Sequence, residues 1–183
     1  SVVPRPIAWI STINHQGLVN LAPFSSFNYV AHSPPMLAVN IGSRNGQLKD
    51  TAQNIIQTKE FVVNVATLDN IQEMHKTSAE YPSDVSEAAE LGIELLPGSK
   101  VNVPRIKISP IQMECRLDQV VPLGKGLNTL YIGEVLAFHF ESSIYDGTYV
   151  DSVKLRPIAR LGGPFYAELG TIHQMDVLQQ PPQ

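Results

Sequence analysis

The chain opens with two extended segments whose side chains are unusual for a pair of strands. Residues 1–13 and 18–31 carry many small, hydroxyl and amide side chains where a core strand ordinarily carries Val, Ile and Leu. Gly17 closes the link between them, at a place where a hairpin turn favours positive φ. The pattern predicts an antiparallel hairpin whose polar groups are available to a ligand.

The remaining patterns predict more short strands with helices between them. Residues 36–41 and 61–66 are apolar runs of strand length, and residues 111–117 alternate apolar and polar side chains, which indicates one solvated face. Residues 130–140 are apolar on both faces, which indicates cover by a helix or a second subunit. Six or more strands with two or three inserted helices predict a mostly β fold, an antiparallel barrel with helical excursions.

Two of the predicted helices have capping-box spacing at their starts. Asp50 precedes Gln53 by three residues, and Asp84 stands in the same relation to Glu87. Gly92 follows the second of these segments, at a position typical of a helix end.

Length and composition limit the number of domains. At 183 residues, 43% of them hydrophobic, the chain is long enough for one well-buried core and short for two. We therefore predict a single domain over residues 1–183, with a disordered polar tail at residues 179–183. Because the chain starts without Met and close to its first motif, we also expect residues to precede Ser1.

Charge and cysteine content exclude several kinds of partner. A formal net charge of -4 with scattered basic residues disfavours a nucleic-acid or anionic-membrane surface. No apolar run reaches the roughly 20 residues of a membrane-spanning helix, so neither nucleic acid nor membrane is an expected partner. The single cysteine, Cys115, cannot form an internal disulfide, which fits a reducing compartment and predicts a cytoplasmic protein, with a secreted protein that lacks disulfides as the alternative.

The start of the first helix has the features of an anion-binding site. A helix N-terminus presents unpaired N–H groups and the positive end of the helix dipole, and Lys49 and Thr51 add a charge and a hydroxyl there. Arg44, in the preceding loop, is a second candidate cation. The same residues also fit an ordinary helix capped by Asp50 with a solvated lysine.

Eight segments in a fixed order carry a family resemblance that spans nearly the whole chain. They are residues 4–12 (PRPIAWIST), 20–28 (NLAPFSSFN), 48–51 (LKDT), 60–64 (EFVVN), 77–82 (TSAEYP), 114–117 (ECRL), 132–135 (IGEV) and 155–163 (LRPIARLGG). Together they resemble the flavin reductase-like proteins of the FMN-binding split-barrel group.

The resemblance implies a fold, an assembly and a cofactor. The fold is an antiparallel split β-barrel with Greek-key-like connections, and the assembly is a homodimer with two flavins at the subunit interface. In relatives the helix start at Lys49 and Thr51 lies beside the FMN phosphate, and the loop with Thr77 and Ser78 approaches the flavin. Some flavoredoxin-like members have His at the position of Asn128.

The resemblance and the residue types together give a set of candidate cofactor-binding residues. An isoalloxazine ring needs a flat slot with hydrogen-bonding groups along its pyrimidine edge, which residues 20–26 supply, although an edge strand with a bulge is the alternative. Ser11 and Thr12 could face ribityl or phosphate oxygens. Arg160 could meet the flavin or the nicotinamide phosphate, or form a surface salt bridge. The full set is Ser11, Thr12, Asn20, Ala22, Pro23, Phe24, Ser25, Ser26, Arg44, Lys49, Thr51, Thr77, Ser78, Asn128 and Arg160.

The implied activity is that of an oxidoreductase, an NAD(P)H:flavin reductase that transfers hydride from nicotinamide C4 to flavin N5. Hydride transfer requires no side-chain acid or base, so no catalytic residue is assigned, and the spacing of the histidines predicts no metal site. With no G-x-G-x-x-G after a strand, NADH or NADPH would stack on the flavin. A monooxygenase or another electron acceptor is the implied protein partner. A flavoredoxin-like electron-transfer protein and a non-catalytic FMN carrier are the alternatives.

Overall fold

The structure, a computed structural model, describes residues 2–175, so the predicted disorder of residues 179–183 lies outside the described residues. Short strands dominate, with helices inserted between them, as predicted. In chain order the elements are β1 (Arg5–Pro6), β2 (Ala8–Ile13), β3 (Val19–Phe24), β4 (Phe27–His32), β5 (Pro35–Gly42), α1 (Asp50–Thr58), β6 (Glu60–Val65), α2 (Ile71–Lys76), α3 (Glu87–Glu90), β7 (Leu95–Leu96), β8 (Arg105–Ile106), β9 (Ile111–Leu123), β10 (Asn128–Phe140), α4 (Ser152–Leu155), β11 (Ala159–Arg160) and β12 (Tyr166–Ala167).

Seven strands form one antiparallel sheet in the order β3-β2-β6-β9-β10-β5-β4. Its two edge strands, β3 and β4, are consecutive in the chain and are separated only by Ser25 and Ser26. Because so short a link joins opposite edges, the sheet must curl until those edges approach each other. Within residues 2–175 no ladder joins them, so the barrel stays open along this seam. The predicted split barrel is confirmed.

The predicted N-terminal hairpin is present, but its second strand is shorter than predicted. β2 pairs with β3 through a turn in which Gly17 has φ 80°, as expected. The strand predicted over residues 18–31 nevertheless ends at Phe24, and the chain resumes as β4, which pairs with β5. Extended side-chain patterns continue through both strands, so the sequence could not show that the pairing partner changes at Ser25.

The two larger of three apolar clusters among the described residues occupy the two faces of the curled sheet. The first fills the interior with side chains such as Phe61 and Tyr131, and α1 contributes Ile55 to it. The second lies outside, where Trp9 of β2 belongs to the same cluster as residues of α2 and α3. The indole Nε1 of Trp9 donates to the Thr77 hydroxyl at 2.9 Å. This contact holds the loop after α2 against the β2–β3 end of the sheet.

The predicted solvated face of β9 is present only in part, because Arg116 and Asp118 are exposed but the two polar residues before them are not. Gln112 and Glu114, both expected in water, are buried, and Glu114 is 0% exposed. Three consecutive backbone N–H groups, those of residues 99–101, donate to the Glu114 carboxylate at 2.6–3.1 Å. A carboxylate with this many donors can leave water at small cost, and alternation of polar and apolar residues does not reveal such donors.

Neither predicted capping box forms. Lys49, rather than Asp50, is the N-cap of α1, and no side chain caps that helix. Gln53, expected to complete the first box, instead donates its amide to a backbone carbonyl at 2.8 Å. α3 begins at Glu87, again without a side-chain cap, and the Glu87 carboxylate accepts hydrogen bonds from β3. Both helix starts are therefore free of the local bonds that the sequence spacing predicted.

The two faces of β10 are buried to different extents. Its inner face, including Gly133 and Val135, is buried, whereas Phe138 on the outer face is 45% exposed. Gly133 lies against the ring of Phe61, a core residue of β6, at a distance that leaves no room for a side chain. Both faces of β10 were predicted to be buried, but in a single copy of the chain only the inner face is.

We expect Gly133→Ala to lower the free energy of unfolding by about 1–3 kcal/mol. A Cβ at this position would lie 2.5 Å from Cζ of Phe61, and the buried ring cannot move aside without repacking the core. Denaturant unfolding measures the loss. Gly170→Ala is the matched control, because nothing lies within 4 Å of a Cβ there. Equal stability of the two variants would contradict the close approach.

Candidate functional site

A cavity of about 420 Å³ opens at the edge strand β3, where the N-terminus of α1 and the loop after α2 meet it. Its volume is within the range usual for ligand sites. We call it the first cavity. Nine of the predicted residues line it: Asn20, Ala22, Pro23, Phe24, Arg44, Lys49, Thr51, Thr77 and Ser78.

A second cavity, of about 530 Å³, adjoins the first. The two share Pro23, Phe24 and Ser78 as a common wall. The second cavity also brings in the predicted residues Ser25 and Arg160. The two adjoining cavities therefore gather all but four of the candidate cofactor-binding residues.

The four residues outside the cavities are of two kinds. Ser11 and Thr12 are fully buried in β2, which has a strand on each side and packed side chains on both faces. The Ser11 hydroxyl donates to a backbone carbonyl at 2.6 Å, and the Thr12 hydroxyl accepts from the Asn54 amide at 3.0 Å. Ser26 and Asn128 are exposed and line neither cavity.

One end of the first cavity carries two cations, Lys49 and Arg44, beside the carboxylates of Asp50 and Glu80. Lys49 stands at the uncapped N-terminus of α1, where the first backbone N–H groups have no partner within the helix. Burial lowers the pKa of Lys49, the positive charge of Arg44 lowers it further, and Glu80 partly offsets both. Arg44 forms an ion pair with Glu80, with 3.0 Å between Nη2 and Oε1. An anion at this end would satisfy the helix dipole and relieve the repulsion between the two cations.

A buried hydrogen-bond network forms the floor of the first cavity. The Asn20 amide donates to Glu87 Oε1 at 2.9 Å, and its oxygen accepts from the Thr51 hydroxyl at 2.8 Å. The backbone N–H of Leu21 donates to the other Glu87 oxygen at 2.8 Å. Asn20 and Thr51 are therefore held by protein groups, and they give the cavity its shape.

Glu87 lines the first cavity, which sequence reasoning did not predict. It was predicted to cap its own helix, and instead it joins α3 to β3. Burial raises the pKa of the Glu87 carboxyl, while the hydrogen bonds from Leu21 and Asn20 act in the opposite direction. The only signal in the sequence was an acidic residue next to Ala88 and Ala89, which is too common to identify a buried carboxylate.

Arg160 does not form the surface salt bridge considered for it. Within residues 2–175 no carboxylate oxygen lies within 4.0 Å of its guanidinium group. Arg160 instead donates to the Tyr166 hydroxyl at 2.6 Å and to the carbonyl of Gly163. The positively charged Arg160 side chain therefore lines the second cavity.

The single cysteine lines neither cavity. Cys115 is fully buried in the barrel interior, and burial raises the pKa of its thiol, so it packs as an apolar side chain.

Among residues 2–175 no three His, Cys, Asp or Glu side chains group together as metal ligands. In the same part of the chain no helix has the length and apolar character needed to cross a membrane.

Comparison of the sequence with known protein families identifies the family to which it belongs. The family described as Flavin reductase like domain matches residues 1–154. The chain belongs to the flavin reductase-like family. The resemblance found in the sequence is therefore confirmed, and membership supports a flavin cofactor and an oxidoreductase activity.

Individual relatives of this flavin reductase-like protein cover most of its length. An uncharacterized protein of Aquifex aeolicus is 40% identical over 169 residues, which are 91% of this chain and 85% of that protein. Nitrilotriacetate monooxygenase component B from Bacillus cereus has a similar structure, with a TM-score of 0.93 and 34% identity over 96% of this chain and 89% of that one. For 2-nitrobenzoate 2-nitroreductase of Pseudomonas fluorescens the TM-score is 0.90 and the identity 33%, over 100% and 89% of the two chains.

Proposed function

We propose that this protein binds FMN in the first cavity and reduces it with NADH or NADPH. The observation that carries the proposal is that one cavity combines the two kinds of group that the cofactor needs. The uncapped start of α1 with Lys49 and Arg44 suits a phosphate. Pro23 and Phe24 offer apolar surface to a ring, and Lys49 Nζ lies 5.7 Å from the centroid of the Phe24 ring.

The residues present fit FMN, and each group of them has a distinct task. Lys49 and the first N–H groups of α1 would hold the phosphate, and Pro23 and Phe24 would keep water from one side of the ring. Thr77 would shape the wall, because its buried hydroxyl accepts from Trp9 and donates to the Met74 carbonyl, whereas the Ser78 hydroxyl is exposed and donates to the His75 carbonyl. Bound FMN would supply the chemistry, as the group that takes up a hydride from nicotinamide C4. No acid or base of the protein is required for that transfer.

Flavin titration followed by nicotinamide oxidation tests the proposal. The purified protein should bind one FMN per chain, and anaerobic NADH or NADPH should then remove the absorbance of oxidised flavin. The same nicotinamide mixed with FMN alone is the control for uncatalysed reduction. Tight FMN binding with no acceleration by either nicotinamide would identify a carrier module and contradict the reductase assignment.

We also propose that the protein is a homodimer. The distal half of β9 pairs with β10 alone, because its ladder with β6 ends at Arg116. On this projecting hairpin the side chains of Val120, Leu123 and Leu127 are exposed, and Leu127 is 64% exposed. An apolar surface beside an unpaired strand edge is typical of an interface.

Sedimentation at micromolar concentration is expected to give the mass of a dimer. Leu127→Lys places a charge on the projecting hairpin and should shift the population towards monomer without unfolding it. Lys125→Ala, in the same turn, is the control and should leave the dimer intact. A monomeric wild-type chain would contradict the proposal.

The remaining assignments concern the number of domains, the location in the cell and the protein partner. We propose a single domain, located in the cytoplasm, where the thiol of Cys115 would stay reduced. Nitrilotriacetate monooxygenase component B is by its name one component of a monooxygenase. By analogy, a monooxygenase that consumes reduced flavin is the proposed class of protein partner.

A further inference from the structure

The second cavity brings together two positive charges that the flavin site does not use. Arg5 of β1 and Arg160 of β11 are direct cross-strand partners in the short antiparallel ladder between those strands. Like charges placed opposite each other on neighbouring strands destabilise a sheet. Both side chains are half-buried, so solvent and salt screen their repulsion only in part.

No negative charge of the described chain compensates the pair. The Arg5 guanidinium donates to the Ser25 hydroxyl at 3.3 Å and to the Leu161 carbonyl at 2.9 Å. Arg160 donates to the Tyr166 hydroxyl and the Gly163 carbonyl. All of these acceptors are neutral, and the residues that line the cavity include no Asp or Glu. The two guanidinium groups are therefore positioned by the protein without being neutralised by it.

The rest of the cavity wall has a different character. Ile7, Phe24 and Met74 are apolar and buried, and Phe24 belongs also to the first cavity. His75 and Tyr166 add polar groups next to Arg160, with 2.9 Å between His75 Nδ1 and the Tyr166 hydroxyl. A cavity with charge at one place and apolar surface at another suits an organic anion better than an inorganic one.

We propose that the second cavity binds a small organic anion, with its carboxylate or phosphate group at Arg5 and Arg160 and its apolar body on Pro23 and Phe24. Arginine is well suited to this role because its planar donors match both kinds of anion. The inference rests on the proposed function in one respect: the bound organic anion would be a reactant only if FMN occupies the first cavity. Its anionic group could be the pyrophosphate of the nicotinamide donor or the carboxylate of an electron acceptor.

Titration with benzoate and with its uncharged analogue benzamide tests the anion site without flavin or nicotinamide. Calorimetry should show benzoate binding about tenfold more tightly than benzamide to the wild-type protein. Arg160→Gln should remove this preference and Arg160→Lys should restore part of it. Arg116→Gln, which removes an exposed arginine far along β9, should leave the preference unchanged.

A second arm identifies the source of the anion. If it is the donor, Arg160→Gln should raise KM about tenfold for NADH and leave it unchanged for the uncharged N-benzyl-dihydronicotinamide. If it is the acceptor, KM for both donors should stay unchanged while the benzoate preference is lost. A wild-type protein that binds benzoate and benzamide equally, with no selective change in KM for NADH, would overturn the proposal. Because the benzoate arm needs no flavin reduction, its result is independent of whether the reductase assignment holds.

Discussion

Replacing Lys49 with alanine is expected to weaken FMN binding about tenfold or more while riboflavin binding changes little. Riboflavin lacks the phosphate, and Lys49 stands at the uncapped start of α1, where we propose that the phosphate binds. A charge-assisted contact of this type contributes about 1.5–3 kcal/mol, which corresponds to a factor of ten or more in affinity. Quenching of flavin fluorescence on binding measures both dissociation constants.

The control for this variant is a lysine remote from both cavities. Lys125 lies in the link between β9 and β10 and lines neither cavity, so Lys125→Ala should leave both affinities unchanged. An equal loss of FMN and riboflavin affinity in Lys49→Ala would place the phosphate elsewhere.

Replacing Glu114 with glutamine is expected to lower the free energy of unfolding by about 3 kcal/mol or more. The carboxylate accepts bonds from three backbone N–H groups and from the Ser99 hydroxyl, and its Oε1 lies 2.6 Å from His139 Nε2. A glutamine amide would point an N–H₂ group at donors that have no other acceptor. Denaturant unfolding at neutral pH measures the loss.

The same carboxylate gives the fold a defined dependence on acid. Burial raises the pKa of Glu114, but the hydrogen bonds from Ser99, Lys100 and His139 outweigh burial and lower it from 4.5 to about 2. Because this folded-state pKa lies below the unfolded one, the contribution is complete above about pH 4.5 and is lost as pH falls towards 2. The difference corresponds to about 3 kcal/mol.

A comparison of two glutamate variants isolates this effect. Between pH 5 and pH 3 the wild-type protein should lose more stability than Glu114→Gln, which has no carboxylate to protonate at this position. Glu134→Gln removes a partly exposed partner of Arg116 on β10 and should cost less than about 1 kcal/mol. Parallel pH profiles for the wild type and Glu114→Gln would contradict the assignment.

The parts of the fold and the site that could be predicted are those with a local signal. Gly17 marked the hairpin turn, and residues 50–58 formed the helix whose start was read as an anion site. The segment with Pro23 was predicted to leave groups free for a ligand, and it does lie on the unpaired edge of the sheet. These features depend on neighbours in the chain, which a sequence displays directly.

The parts that could not be predicted depend on contacts between distant residues. Ser11 and Thr12 have the hydroxyl groups expected of ligand contacts, yet β2 is central in the sheet and buries both. Glu114 alternates with apolar residues as an exposed side chain would, and the segment that covers it begins fifteen residues earlier in the chain. Glu87 bonds to residues 66 and 67 positions away. No pattern over a few residues carries information on such pairs.

The network beneath the first cavity limits how this protein can diverge. Asn20 both donates to Glu87 and accepts from Thr51, so it cannot become Asp without placing two carboxylates in contact. Glu87 cannot become Gln without leaving the Asn20 amide or the Leu21 N–H unpaired. These positions should therefore change in concert during evolution. In an alignment of relatives, the identity at position 87 should predict the identity at position 20, although the two belong to different elements and neither varies freely alone.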